Sequence, residues 1–170
     1  MITVNVWFPN GRNVGHASAQ IGANEYVSWW PTSSWLKKRP GVAKTLAGDI
    51  EAEGGPPNAS HVVRGLDQAA AQRWWVALKS QGAVYSAARF NCAWAVITML
   101  KAAGADERIN WTRALAQYNV PLGAIVPGLC IAAGLAAIAT GSAAGQVATA
   151  DHCTTIWTPA DAIRFARAID

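Results

Sequence analysis

Apolar and polar residues alternate from Ile2 to Phe8, again from Val14 to Ile21, and once more from Glu25 to Trp30. A period of two is the pattern of a half-buried strand, so these stretches predict strands over 2–8, 14–21 and 25–30. Pro9-Asn10-Gly11 and Gly22-Ala23-Asn24 lie between them and carry turn chemistry, which makes an antiparallel meander. From Pro31 to Ser60 the periodicity fades. That stretch holds Ser33-Ser34, Lys37 to Gly41 and Gly54-Gly55-Pro56-Pro57, and it reads as a long loop of the kind that shapes a substrate cleft.

The second half changes period. His61 to Arg64 predicts a short strand, and Asp67 then stands as a helix cap before Gln68 to Ser80, with Gly82 as the stop. Trp94, Ile97, Leu100 and Lys101 fall at helical spacing, which predicts a helix from about Asn91 to Ala103 stopped by Gly104. Residues 107–118 are a further possible helix. Thr158-Pro159-Ala160-Asp161 starts a last one, with Ile163, Ala166 and Ile169 as its buried stripe. Strands first and helices afterwards make the fold class α+β.

The 170 residues are most simply one domain, with a core large enough to need no disulfide staples. Hydrophobic residues are 52% and charged ones 14%, far from the composition of a disordered chain. The pairs Trp29-Trp30 and Trp74-Trp75 cannot each point inward from one face, so some indole is expected at the surface. Lys37-Lys38-Arg39 is a tight basic run within a net charge of +4, without the stripe of spaced cations that nucleic-acid binding requires. Nucleic acid is therefore not expected as a partner. The alternating N-terminus lacks the basic start and long apolar run of a signal peptide, and export by a specialised route remains open.

Pro121 to Ala148 carries no charge and is rich in Ala, Gly, Ile and Leu. It is long enough to span a bilayer, but Pro127, Gly128, Gly134 and Gly141 dilute it. An apolar helical insertion at about 121–148, packed as a hairpin, is the preferred reading, with membrane contact as its alternative. Of the three cysteines, Cys92, Cys130 and Cys153, one pair at most could close, and Cys130 with Cys153 is the better choice. His152 beside Cys153 has no second ligand pair at finger-like spacing, so no metal site is expected.

Two segments carry candidate chemistry. Gly15-His16-Ala17-Ser18 places an imidazole on a strand, and Phe90-Asn91-Cys92-Ala93-Trp94 places a thiol at a helix start. A thiol is a poor nucleophile until it loses its proton, and both an imidazole partner and a helix N-terminus favour the thiolate. Cys92 is thus a candidate nucleophile and His16 its base. Ser28, on the next strand, is the first choice for the group that orients the imidazole; Ser18, Gln20 and Glu25 are alternatives. The Cys92 amide supplies one oxyanion donor, with the second from a neighbouring strand or from Asn91. His61 and His152 read as surface or satisfied histidines, and Cys92 alone could equally be a small buried core residue.

The Gly15 to Ser18 strand, the Tyr26-Val27-Ser28-Trp29-Trp30-Pro31 strand and the Asn91-Cys92 helix start together resemble the circularly permuted papain-like hydrolases. That group includes NlpC-type cell-wall peptidases and relatives of lecithin:retinol acyltransferase. Gly65-Leu66-Asp67, Trp74-Trp75, Tyr85 and Thr158-Pro159 fit the same pattern, so the resemblance spans most of the chain. It implies an antiparallel sheet packed on helices, Cys92 as nucleophile, His16 as base, Ser28 as orienter and no cofactor. A second histidine, frequent in the third position of the acyltransferase relatives, is missing here.

The resemblance further implies an antibacterial toxin effector, delivered by type VI secretion or as the tip of a larger polymorphic protein. A cognate immunity protein is expected with it. The expected reaction is hydrolysis of an amide bond, first as a cysteine protease acting on protein and next as an amidase or endopeptidase acting on peptidoglycan. A lipid hydrolase or acyltransferase is a third reading, and a non-enzymatic membrane-active or binding domain a fourth.

Overall fold

The computed structural model describes residues 1–11, 13–32, 39–87, 90–109 and 157–169, and these belong to one unit, Met1–Gln117 with Trp157–Asp170. The expected apolar hairpin at 121–148, most of the expected 107–118 helix, and Cys130, His152 and Cys153 lie outside the described residues.

Six strands form one antiparallel sheet in the order β5-β1-β2-β3-β4-β6. The meander is present as β1 (Ile2–Trp7), β2 (His16–Ile21) and β3 (Glu25–Pro31), within a residue or two of the alternation. β5 (Ala59–Val63) adds to the free side of β1, while β4 (Arg39–Ala43) and β6 (Val84–Tyr85) extend the sheet beyond β3. Among the described residues the helices are α1 (Leu46–Glu53), α2 (Gln68–Ser80), α3 (Cys92–Ala102) and α4 (Pro159–Ile169). The architecture is α+β.

The period of two sorts the sheet into chemically opposite sets. Ile2, Val4, Val6, Ala17, Ala19, Ile21, Val27 and Trp29 join one apolar core with Trp75, Val96, Ile97, Leu100, Ile163 and Phe165 from the helices. The residues between them on β2 and β3 are His16, Ser18, Gln20, Tyr26, Ser28 and Trp30. The tryptophan pairs divide as their adjacency demands: Trp29 and Trp75 are buried edge to face at 5.8 Å, while Trp30 and Trp74 are only half-buried. Asp67 caps α2 by accepting from the Ala70 amide. Thr158 and Asp161 bond reciprocally at the start of α4, which satisfies amides that have no helical partner.

The stretch from Pro31 to Ser60 corrects the loop expectation, because it contains β4 and α1. Gly41 of β4 lies against the Trp29 indole, where a Cβ would sit 1.8 Å from a ring carbon; the glycine there signals close packing rather than a loop. α1 starts at Thr45, whose side chain accepts from the Gly48 amide, and ends on left-handed Gly54. Its buried positions are Asp49 and Glu53, both carboxylates. No apolar stripe marks such a helix, so periodicity passes over it.

Candidate thiol site

His16 opens β2 directly after Gly15, which adopts a φ of 84°. A Cβ at Gly15 would fall 2.6 Å from the Trp7 carbonyl oxygen, so both backbone angle and space require glycine there. This turn delivers the imidazole to the sheet end opposite Trp7 in the ladder. Ser28 is paired with Ser18, which shares the His16 face by alternation, and Tyr26, Ser28 and Trp30 follow at every second residue of β3.

The His16, Tyr26, Ser28 and Trp30 side chains converge on the Asp49 carboxylate. His16 Nε2 lies 3.1 Å from Asp49 Oδ2 and 3.2 Å from Ser28 Oγ. The Tyr26 hydroxyl donates to Oδ2 at 2.8 Å, and the Ser28 hydroxyl and Trp30 indole donate to Oδ1 at 2.8 Å and 2.7 Å. Asp49 is fully buried. Burial alone would favour its neutral form, but the bonds from His16, Ser28 and Tyr26 outweigh it and hold the carboxyl below its usual range. Asp49 is therefore a carboxylate, and an acceptor.

That settles the imidazole. With Asp49 accepting and the Ser28 hydrogen directed to Asp49, Nε2 must carry a hydrogen. The proton that can move is on Nδ1, the nitrogen left for the thiol. Cys92 is among the groups that act on the His16 imidazole. Burial by itself would lower the His16 pKa, but the charge of Cys92 and the bonds to Asp49 and Cys92 raise it to about 9. The Trp30 ring stacks on the imidazole at 4.4 Å and keeps water from that face.

Cys92 is the first residue of α3, with Asn91 as N-cap. Its amide has no intrahelical partner, and the Cys92 backbone and thiol both act on the Tyr85 hydroxyl. Cys92 keeps 6% of its surface exposed and His16 only 1%, so access to the pair is from the cysteine side. Phe90, two residues before Cys92 and 44% exposed, packs edge-on against Trp94 at 5.0 Å.

Of the residues expected from sequence, His16 and Ser28 lie 3.2 Å apart, and Cys92 acts on the same imidazole. Ser28, however, shares the imidazole with Asp49, which the sequence reading missed inside the supposed loop. Its signal was the Thr45 cap with an acidic residue in the first turn. Asn91 corrects the oxyanion expectation: its Nδ2 donates to the carbonyls of Ala87 and Trp157 at 3.0 Å and 2.7 Å, and its Oδ1 accepts from the Trp94 amide. Both amide hydrogens are committed. Ser18 bonds to Tyr26, Gln20 to the Glu25 carbonyl, and Glu25 to Lys79, so none of the three touches the imidazole. His61 lies on β5, with β1 between it and β2.

Among the described residues no group of three or more His, Cys, Asp or Glu side chains could hold a metal ion, and no helix is long and apolar enough to cross a membrane. Compared with known families, residues 43–119 match the family model described as the IcsB middle domain. The matched region contains Asp49, Tyr85 and Cys92 and begins after His16 and Ser28. No curated protein and no solved structure matches the chain.

Proposed function

We propose that this protein is a cysteine hydrolase of permuted papain-like type, acting on amide bonds. The observation that carries the reading is the buried His16 imidazole, bonded through Nε2 to the Asp49 carboxylate and acted on by the Cys92 thiol. Cys92 sulfur attacks the substrate carbonyl carbon while its proton resides on His16 Nδ1. The developing oxyanion takes the Cys92 amide and the Tyr85 hydroxyl as donors. Imidazolium then gives its proton to the leaving amine, and the C–N bond breaks. A water, deprotonated by the same nitrogen, attacks the acyl-cysteine and releases the acid, which restores the thiol.

Protein is the first substrate class and peptidoglycan peptide the second. IcsB is a secreted bacterial effector, and the match of residues 43–119 to its middle domain supports delivery as an effector; an immunity protein as partner rests on the papain-like resemblance alone. Incubation of the protein with lysed cells and with purified sacculi tests the reading. Fragments should appear in one pool and vanish with Cys92→Ala; no fragments from either would reject it.

A second reading is favoured by the exposed Phe90 edge beside the nucleophile. Such an apolar lip suits a lipid acyl chain, and the acyl-cysteine would then pass to an amine or to water. Mass spectrometry of an amine acceptor incubated with a fatty-acyl thioester and the protein separates the readings, since acyl transfer that is lost in Cys92→Ala appears only under the second.

A further inference from the structure

The described residues place two donors on each oxygen of the Asp49 carboxylate. Tyr26 and His16 occupy Oδ2, while Ser28 and Trp30 occupy Oδ1 at 2.8 Å and 2.7 Å. A carboxylate offers about four acceptor directions, so the set is full and the group cannot turn without breaking a bond. Trp30 does more than donate. Its indole also stacks on the His16 imidazole, with ring centroids 4.4 Å apart and planes 28° from parallel.

An indole N–H lies in the plane of its ring, as the Nε2–H lies in the plane of the imidazole. Two near-parallel rings therefore present one N–H to each oxygen of a single carboxylate, a pairing that fixes the carboxylate in angle as well as in distance. The Ser28 hydroxyl cannot set that angle, because it rotates about its own bond; its oxygen in turn accepts from the Trp30 N–H at 3.0 Å, which restrains it. The Lys44 ammonium lies over the Trp30 ring at 4.2 Å and adds a further hold on the indole. Trp7 supplies the contrast. Its ring centroid is 5.7 Å from that of His16 and its plane is tilted by 39°, and its N–H donates to the Gly55 carbonyl rather than to Asp49.

We infer that Trp30 is a positioning residue of the thiol site: its ring sets the plane of the His16 imidazole by stacking, and its N–H holds the Asp49 carboxylate so that Oδ2 faces Nε2. This rests on the His16–Cys92 pairing proposed above. The indole acts through Asp49 and His16 and touches no reacting atom. A phenylalanine at this position would still cover the imidazole, but Oδ1 would keep only the rotatable Ser28 donor. The carboxylate would then swing, and the imidazole would lose the fixed acceptor that directs its other nitrogen to the thiol.

The test is the rate at which iodoacetamide alkylates Cys92 in the full chain at neutral pH, read by mass spectrometry for wild type, Trp30→Phe, Asp49→Asn, the double variant and His16→Ala. Trp30→Phe should label about threefold to tenfold more slowly than wild type. In the Asp49→Asn background, where the charge that Trp30 holds is gone, the same change should slow labelling by less than about twofold. A purely structural tryptophan would cost the same factor in both backgrounds. Equal factors, or no slowing in either, with His16→Ala slow, would overturn the Trp30 role and leave the thiol pairing standing. Equal labelling of His16→Ala and wild type would instead reject the pairing. Should Trp30→Phe not fold, the indole proton of Trp30 decides by NMR. It should exchange slowly with solvent in wild type, and its resonance should move upfield in Asp49→Asn as the acceptor loses its charge. A resonance that Asp49→Asn leaves in place would also overturn the inference.

Discussion

His16 Nε2 and Asp49 Oδ2 stand 3.1 Å apart, and neither side chain retains more than 2% of its accessible surface. A histidine so placed cannot choose its tautomer, because the carboxylate accepts and the ring must donate. The neighbouring Ser28 oxygen at 3.2 Å adds a dipole to the same nitrogen but no charge. Asp49 should therefore matter more than Ser28. Asp49→Asn, which keeps the shape and removes the charge, should lower kcat/KM about 10³-fold or more, whereas Ser28→Ala should cost about tenfold or less. Steady-state kinetics on one amide substrate compares them. A larger loss in Ser28→Ala would return the orienting role to the serine.

The pH dependence follows from the raised His16 and the lowered Asp49. His16 carries its proton in the folded state up to about pH 9, so its contribution to stability is complete below its unfolded value of 6.5 and is lost as pH rises through about 9. Asp49 behaves oppositely: its contribution is present above the ordinary carboxylate value of 3.8 and is lost in stronger acid. Amide hydrolysis needs imidazolium as the acid for the leaving amine, so activity should fall on the alkaline side near pH 9. In Cys92→Ala the largest raising influence on His16 disappears, and its NMR titration should move to lower pH. An unmoved titration would mean that sulfur and imidazole do not interact.

The strands and the two helices that carry most of the core were legible because burial there is apolar and periodic. Ile2, Val4 and Val6 or Val96, Ile97 and Leu100 announce a face by their spacing. Cys92 was legible for a different reason, since Asn91 before it is a cap and Gly104 after it a stop. The Asp49 helix obeys neither rule. Its buried face is acidic because it covers an imidazole, and a sequence scan for apolar stripes reads such a face as solvent. The misplaced role of Asn91 has the same origin: a residue adjacent to Cys92 in sequence is bound to carbonyls on either side of it in the chain, a commitment that its position beside the thiol does not announce.

Tyr85 gives a separate prediction. Its hydroxyl stays protonated, because burial and the nearby charge of Cys92 hold its pKa above the ordinary tyrosine value, and only a protonated phenol can donate to an oxyanion. Tyr85→Phe preserves the ring and the packing. It should reduce kcat about 10²-fold with KM nearly unchanged, the mark of an interaction made in the transition state alone. A rise in KM with constant kcat would make Tyr85 a binding residue instead.

Asn91 should behave as an anchor. Its side chain caps α3 and ties the helix start to the Trp157 carbonyl, joining segments 66 residues apart. Asn91→Ala removes a helix cap and leaves two partly buried carbonyls without a donor, so a loss of about 1–3 kcal/mol in folding stability is expected. Asn91→Asp can still accept from the Trp94 amide but cannot donate, so it should retain the cap and lose the tether. Denaturant melts of the two variants separate these contributions. Under conditions where both are fully folded, their kcat should exceed that of Tyr85→Phe, since neither removes a group that faces the reacting carbonyl. A fully folded Asn91→Ala with kcat as low as Tyr85→Phe would reinstate Asn91 as an oxyanion donor.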